Sequence, residues 1–174
     1  MEDTVKKLNL EPEKNEEPDN PKKRFLTILL SFSIVIIAFV VFNITMHPIA
    51  VSGRSMEPTF YSGQFLFMDV VDEDTVLEKG NVVVVKDGFI QLIKRIVGTP
   101  GDRLEVIGGR LYVNGTLDER YEKIENPGIL SSPIVLSDDQ YFCIGDNVNH
   151  SEDCRVIGAV SKSQILYRTK EGYP

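Results

Sequence analysis

Twenty-two consecutive residues, Phe25 to Met46, carry no charge and are rich in Ile, Leu, Val and Phe. A helix of about 20 residues spans the hydrocarbon core of a bilayer, so a run of this length is expected to be a transmembrane helix. A cleaved secretory signal is the competing reading. Its apolar region runs to only about 7–15 residues, however, and no small-x-small site follows closely here.

Lys22, Lys23 and Arg24 stand immediately before the run, and the first Lys or Arg after it is Arg54. Positive-inside asymmetry therefore puts the N-terminus in the cytoplasm and everything beyond about His47 outside. Three regions are expected: a cytoplasmic tail over 1–24, an anchor over 25–46 and an extracytoplasmic domain over 47–174. The tail carries Glu11, Glu13, Glu16 and Glu17 among prolines, with too few apolar side chains to offset chain entropy, and should be disordered.

The outer region has room for one modest domain. A formal charge of −7 with no extended basic stripe leaves nothing to neutralise phosphates, which argues against nucleic-acid binding. Cys143 and Cys154 would lie in an oxidising compartment. Their spacing does not fix a Cα distance, so a bridge and two free thiols both stay open.

Beyond residue 47 the pattern is mostly β. Short apolar or alternating runs at Gln64–Val71, Asn81–Lys86, Phe89–Val97 and Gln140–Ile144 read as strands, with two more near Val156–Val160 and Gln164–Tyr167. Arg103–Ile107 and Arg110–Val113 flank Gly108-Gly109 as a hairpin, and Asn114-Gly115 supplies the next tight turn. Residues 120–139 read as a surface excursion. A folded β-sheet or barrel-like body accommodates such a meander, since closure removes exposed edges.

Two stretches carry chemistry. Ser52-Gly53-Arg54-Ser55-Met56-Glu57-Pro58-Thr59 offers a hydroxyl in a tight turn. Lys94, in Phe89–Val97, shares a strand face with Ile90, Leu92 and Ile96. Desolvation favours the neutral amine, and a neutral lysine can take the proton of a hydroxyl nucleophile. The plain alternatives are a turn serine and an edge-strand lysine whose ammonium reaches water.

Ser55-Met56-Glu57-Pro58-Thr59, Lys94-Arg95-Ile96-Val97-Gly98-Thr99-Pro100-Gly101-Asp102, and Gly145-Asp146-Asn147 followed by Ser151-Glu152-Asp153-Cys154-Arg155 resemble, in order and spacing, three boxes of the bacterial type I signal peptidases. The match is to the single-anchor, Gram-positive-like form. The resemblance implies a membrane-bound serine-lysine endopeptidase that removes signal peptides from exported preproteins, without metal or cofactor. It implies Ser55 as nucleophile and Lys94 as general base, with Ser151 bonding and orienting the amine. Asp153 and Arg155 would brace the site as a pair on an extended segment, and Asp146 and Asn147 would shape the turn that presents Ser151. Met56 and Gly53 complete the supporting set. Two departures stand out. Gly53 occupies a position where some relatives carry a serine that donates to the oxyanion, which leaves Ser52 or a nearby backbone N–H to join the Ser55 N–H. Cys154 replaces a serine.

Ser55 stands nine positions after Met46, and at no more than about 3.6 Å per residue it lies within roughly 30 Å of the bilayer. A signal peptide is cut just beyond its own apolar segment, at the same face. An extended substrate would pair with segments near Ser52–Ser55 and Gln91–Ile93. The resemblance also suggests lipid contact by Phe60, Tyr61, Phe65, Phe67 and Met68, although such residues are more often core. The sequence carries no signal for an oligomeric state. Three rivals remain: an anchored sortase-type transpeptidase using Cys154 with Arg155, His47 or His150; a non-catalytic β module with Lys94 exposed; and a serine-lysine self-cleaving repressor, which has no reason for an anchor.

Overall fold

A computed structural model describes residues 20–169, so the expected tail lies outside the described residues except at its end. Helix α1 covers Pro21–Met46, starting four residues before the uncharged run. Asn20 explains the earlier start: its side-chain oxygen accepts from the Lys22 N–H at 3.1 Å and its carbonyl from the Arg24 N–H at 3.1 Å. Pro21, which has no N–H to leave unpaired, takes the first helical position. Pro21–Ile44 contains an 18-residue stretch of mean hydropathy 2.9 and is long and apolar enough to cross a membrane. The hydroxyls of Thr27, Ser31 and Ser33 each donate to a carbonyl four residues back at 2.9 Å, so the helix satisfies its own polar groups.

From Asn43 onward the chain forms a second unit, and it is mostly β. Among the described residues every strand pair is antiparallel. A two-stranded sheet joins β1 (Pro48–Ala50) to β2 (Phe65–Phe67). A six-stranded sheet contains β3 (Asp69–Val70), β4 (Val82–Asp87), β5 (Ile90–Gly98), β10 (Gln140–Ile144), β11 (Val160–Ser161) and β12 (Ile165–Arg168), in the order β11-β10-β5-β4-β12-β3. A four-stranded sheet, ordered β8-β7-β6-β9, contains β6 (Arg103–Ile107), β7 (Arg110–Val113), β8 (Thr116–Leu117) and β9 (Ile134–Val135).

The valine run of β4 shows why the six-stranded sheet forms the centre. Val82 and Val84 face a cluster containing Val51, Met56, Phe60, Leu66 and Met68. Val83 and Val85 face a larger one containing Ile96, Phe142, Cys143 and Ile165. A strand buried on both faces needs a continuous apolar run rather than alternation. At the β7–β8 turn Asn114 and Gly115 both have positive φ, 52° and 79°, and Val113 pairs with Thr116. That is the two-residue hairpin expected of Asn-Gly.

Three expectations are corrected. The strand expected at Val156–Val160 is instead a short helix α2 (Cys154–Ile157) followed by β11. Asp153 caps α2 by accepting from the Arg155 N–H, and Gly158, at φ 88°, ends it. Residues 120–139 do not ride on the surface, because Tyr121, Ile124, Leu130 and Leu136 are buried in the larger cluster. The run Gln64–Val71 divides into β2 and β3 around buried Met68. Phe60 and Met68 belong to the core, whereas Tyr61, Phe65 and Phe67 are exposed.

Candidate active site

Ser55 sits half-buried in the turn after β1. Buried Met56 roots this turn in the smaller cluster, and two local bonds close it: Glu57 N–H to the Arg54 carbonyl at 3.2 Å and Phe60 N–H to the Met56 carbonyl at 2.9 Å. Lys94 lies on β5, between β4 and β10 and opposite Val83. It is only 3% exposed, so it is no edge residue reaching water. Its Nζ hydrogen-bonds the Ser55 Oγ at 2.8 Å.

Burial is the largest influence on the Lys94 amine and pushes its pKa below the ordinary lysine value; the Asp153 carboxylate pulls the other way without reversing it. The pair is thus a hydroxyl in contact with an amine biased toward its neutral form, which suits it to proton abstraction. A small cavity of about 120 Å³ opens on both side chains, lined also by Ile49, Ala50, Ser52, Gln91 and Ile93. The two segments expected to flank a substrate both border it.

The third box closes around the pair, though not as the sequence suggested. Ser151 Oγ is buried without a hydrogen-bond partner among the described residues, so the expected bond to Lys94 is not made. The hydroxyl instead packs over Gly145, where a Cβ would lie 2.2 Å from Ser151 Oγ and 2.5 Å from the Ser55 carbonyl oxygen. A residue without a side chain is required for that close approach. Asp153 and Arg155 form a buried two-point pair at 2.8 and 2.9 Å, on the helix cap rather than an extended segment. Arg155 also donates to the carbonyls of Asn126 at 3.1 Å, Val148 at 2.5 Å and Ser151 at 3.3 Å, while Asp153 accepts from the Gly145 N–H at 3.1 Å. This network holds the Ser151 segment in place.

Asp146 does more than shape a turn. Its carboxylate takes two bonds from Arg95, at 2.8 and 2.7 Å, and one from the Tyr121 hydroxyl at 3.3 Å. Arg95 is 0% exposed, and sequence reasoning gave neither it nor Tyr121 a role. The available signal was a cation following Lys94 on the strand, and hence on the opposite face between Ile93 and Val97. Asn147 reaches the turn of Ser55: its N–H donates to the Ser55 carbonyl at 2.9 Å and its Nδ2 to the Arg54 carbonyl at 3.1 Å. Gly53 has φ 89°, a conformation that strains any residue with a side chain.

Cys143 and Cys154 are free and buried. A hydrogen bond with Cys154, together with burial, pushes the Cys143 thiol well up. With Cys154 1% exposed, no thiol is presented to a substrate, and the transpeptidase rival loses its nucleophile. The non-catalytic rival needed Lys94 in water and is likewise disfavoured. Among the described residues no group of three or more His, Cys, Asp or Glu side chains is placed to hold a metal.

Comparison with known proteins identifies the family. The family described as "Signal peptidase, peptidase S26" matches residues 24–173. Signal peptidase I of Bacillus amyloliquefaciens is 32% identical over 148 residues, covering 78% of this chain and 80% of that protein. Signal peptidase IB of Staphylococcus aureus (strain COL) is 31% identical over 169 residues, covering 83% and 87%. A solved signal peptidase I from Enterococcus faecalis V583 is 20% identical, with a TM-score of 0.42, over 52% of this chain and 94% of that one.

Proposed function

Because the chain belongs to the signal peptidase family, peptidase S26, and is a serine endopeptidase that cleaves signal peptides from preproteins, we propose that Ser55 is its nucleophile and Lys94 its general base. The observation that carries this reading is the 2.8 Å contact between the Ser55 hydroxyl and a lysine 3% exposed.

In the first step neutral Lys94 accepts the Ser55 proton as Oγ attacks the scissile carbonyl. The resulting lysine ammonium gives that proton to the leaving amine, which departs with the mature protein. An ester then joins the signal peptide to Ser55. Water attacks the ester with Lys94 again as base, and the proton returns to Oγ as the signal peptide is released. The Ser55 N–H and Ser52, which borders the same cavity, are the donors assigned to the oxyanion.

Helix α1 is the proposed anchor, with Lys22, Lys23 and Arg24 on the cytoplasmic side and the β unit outside. Exposed Tyr61, Phe65 and Phe67 are the side chains assigned to lipid contact. Cleavage of one preprotein by the purified, vesicle-reconstituted chain tests the dyad. Ser55→Ala and Lys94→Ala should each abolish processing in folded protein, and appreciable processing by either would refute it.

A further inference from the structure

We propose that Asn147 is the positioning residue that aims and strengthens the oxyanion-binding amide of the nucleophile. The inference rests on Ser55 being that nucleophile. A peptide group is planar and trans, so the Arg54 carbonyl and the Ser55 N–H are opposite ends of one rigid unit. Whatever holds the carbonyl therefore aims the N–H.

The Arg54 carbonyl is held twice, by the Glu57 N–H at 3.2 Å and by Asn147 Nδ2 at 3.1 Å, which uses both of its lone-pair directions. The Glu57 bond comes from within the same turn and moves with it. The Asn147 bond comes from the loop after β10, 93 residues away, and ties the turn to the six-stranded sheet. The next peptide plane is held as well, because the Asn147 N–H donates to the Ser55 carbonyl at 2.9 Å. With the planes on both sides of the Ser55 Cα fixed by one residue, the backbone torsions of the nucleophile have little freedom.

Three further observations favour this role over simple loop packing. The Ser55 N–H donates to no acceptor among the described residues, so it is free for a ligand. Bonds accepted by the carbonyl polarise the amide and make that N–H a better donor. The Asn147 amide also has its orientation chosen for it. Its Oδ1 meets His150 Nδ1 at 3.1 Å, which leaves Nδ2 for Arg54. Gly145 lets the two segments approach this closely.

Asn147→Ala removes the side-chain donor and keeps the N–H that bonds Ser55. Asn147→Asp keeps size and shape but sets a carboxylate oxygen against the Arg54 carbonyl. Both variants, with Ser55→Ala as companion, are assayed on a preprotein-derived peptide in vesicles. For both, kcat should fall about ten- to hundredfold, somewhat less than for outright loss of an oxyanion donor, with KM within twofold. The pH midpoint should not move, because Lys94 is untouched. A peptide aldehyde of the substrate sequence, which forms a tetrahedral adduct at Ser55, should lose affinity by a similar factor, while an uncleavable peptide of that sequence binds as before. The proposal is overturned by kcat within twofold of wild type in either folded variant, by a rise in KM alone, or by unchanged aldehyde affinity. Processing by Ser55→Ala would instead remove the premise.

Discussion

A lysine amine withdrawn from water serves chemistry at the expense of stability, and Lys94 makes both effects measurable. Its pKa is lowered mainly by burial, and a general base acts when neutral. The rate constant kcat/KM should therefore rise with pH through a value below the ordinary 10.5 and level off above it, as a pH–rate profile on a peptide substrate will show. A rate that climbs only near the ordinary lysine value would contradict a buried base. The same shift fixes a stability trend. Between the lowered folded value and 10.5 the unfolded chain binds more protons than the folded one, so the stability of the wild type rises with pH across that window. Lys94→Met removes the burdened group. It should unfold at a higher temperature at neutral pH while losing cleavage, and the gain should shrink toward pH 10.5. Gly53 offers a second test at this scale. Its φ of 89° costs a residue with a side chain about 1–3 kcal/mol. Gly53→Ser should therefore lower stability by that order in a denaturant titration, without the rate increase that a new oxyanion hydroxyl would bring.

The elements around the dyad are fastened by ion pairs rather than by long secondary structure. Arg95 on β5 grips Asp146 after β10 and also donates to the Gly80 carbonyl at 2.9 Å, tying three segments at one buried point. Removing one partner of a buried pair leaves the other uncompensated and typically costs about 3–5 kcal/mol. Arg95→Met should lose stability of that order, read from chemical unfolding, and Arg95→Met combined with Asp146→Leu should recover part of it. This is also where the sequence could be read least. The β6–β7 and β7–β8 hairpins were legible because Gly108-Gly109 and Asn114-Gly115 specify turns locally. Lys94 was legible because one polar residue interrupted an apolar face. Helix α2 was not, since Cys-Arg-Val-Ile has strand-like composition and its helicity depends on the Asp153 cap and on Gly158. Residues 120–139 bury Tyr121, Ile124, Leu130 and Leu136 at spacings that match neither the strand nor the α-helix period. Arg95 was visible as a cation, but its partner lies 51 positions away, a distance no local pattern bridges. Ser151 was drawn toward Lys94 by resemblance, whereas the packing places it against Gly145.

For the whole molecule, the substrate dictates where the β unit must work, because the scissile bond of a signal peptide lies close to the bilayer that holds the rest of it. The chain between Met46 and Ser55 limits the proposed nucleophile to roughly 30 Å from the end of helix α1, and surface chemistry can narrow that further. Strand β2 presents Leu66 to the core and Phe65 and Phe67 outward, at 65% and 52% exposure. Among the described residues these two phenylalanines lie exposed on one face, with exposed Tyr61 nearby in the chain. Moving each ring from water into the interfacial region would contribute on the order of 1 kcal/mol, part of the roughly 1.5–3 kcal/mol for full burial. Phe65→Ser with Phe67→Ser should then raise KM for a vesicle-inserted preprotein about tenfold or more. Neither residue lines the cavity at Ser55 and Lys94, so hydrolysis of a short soluble peptide should stay within twofold of wild type. Equal losses on both substrates would place the two rings in peptide binding, and no loss on either would leave the lipid surface without a role for β2.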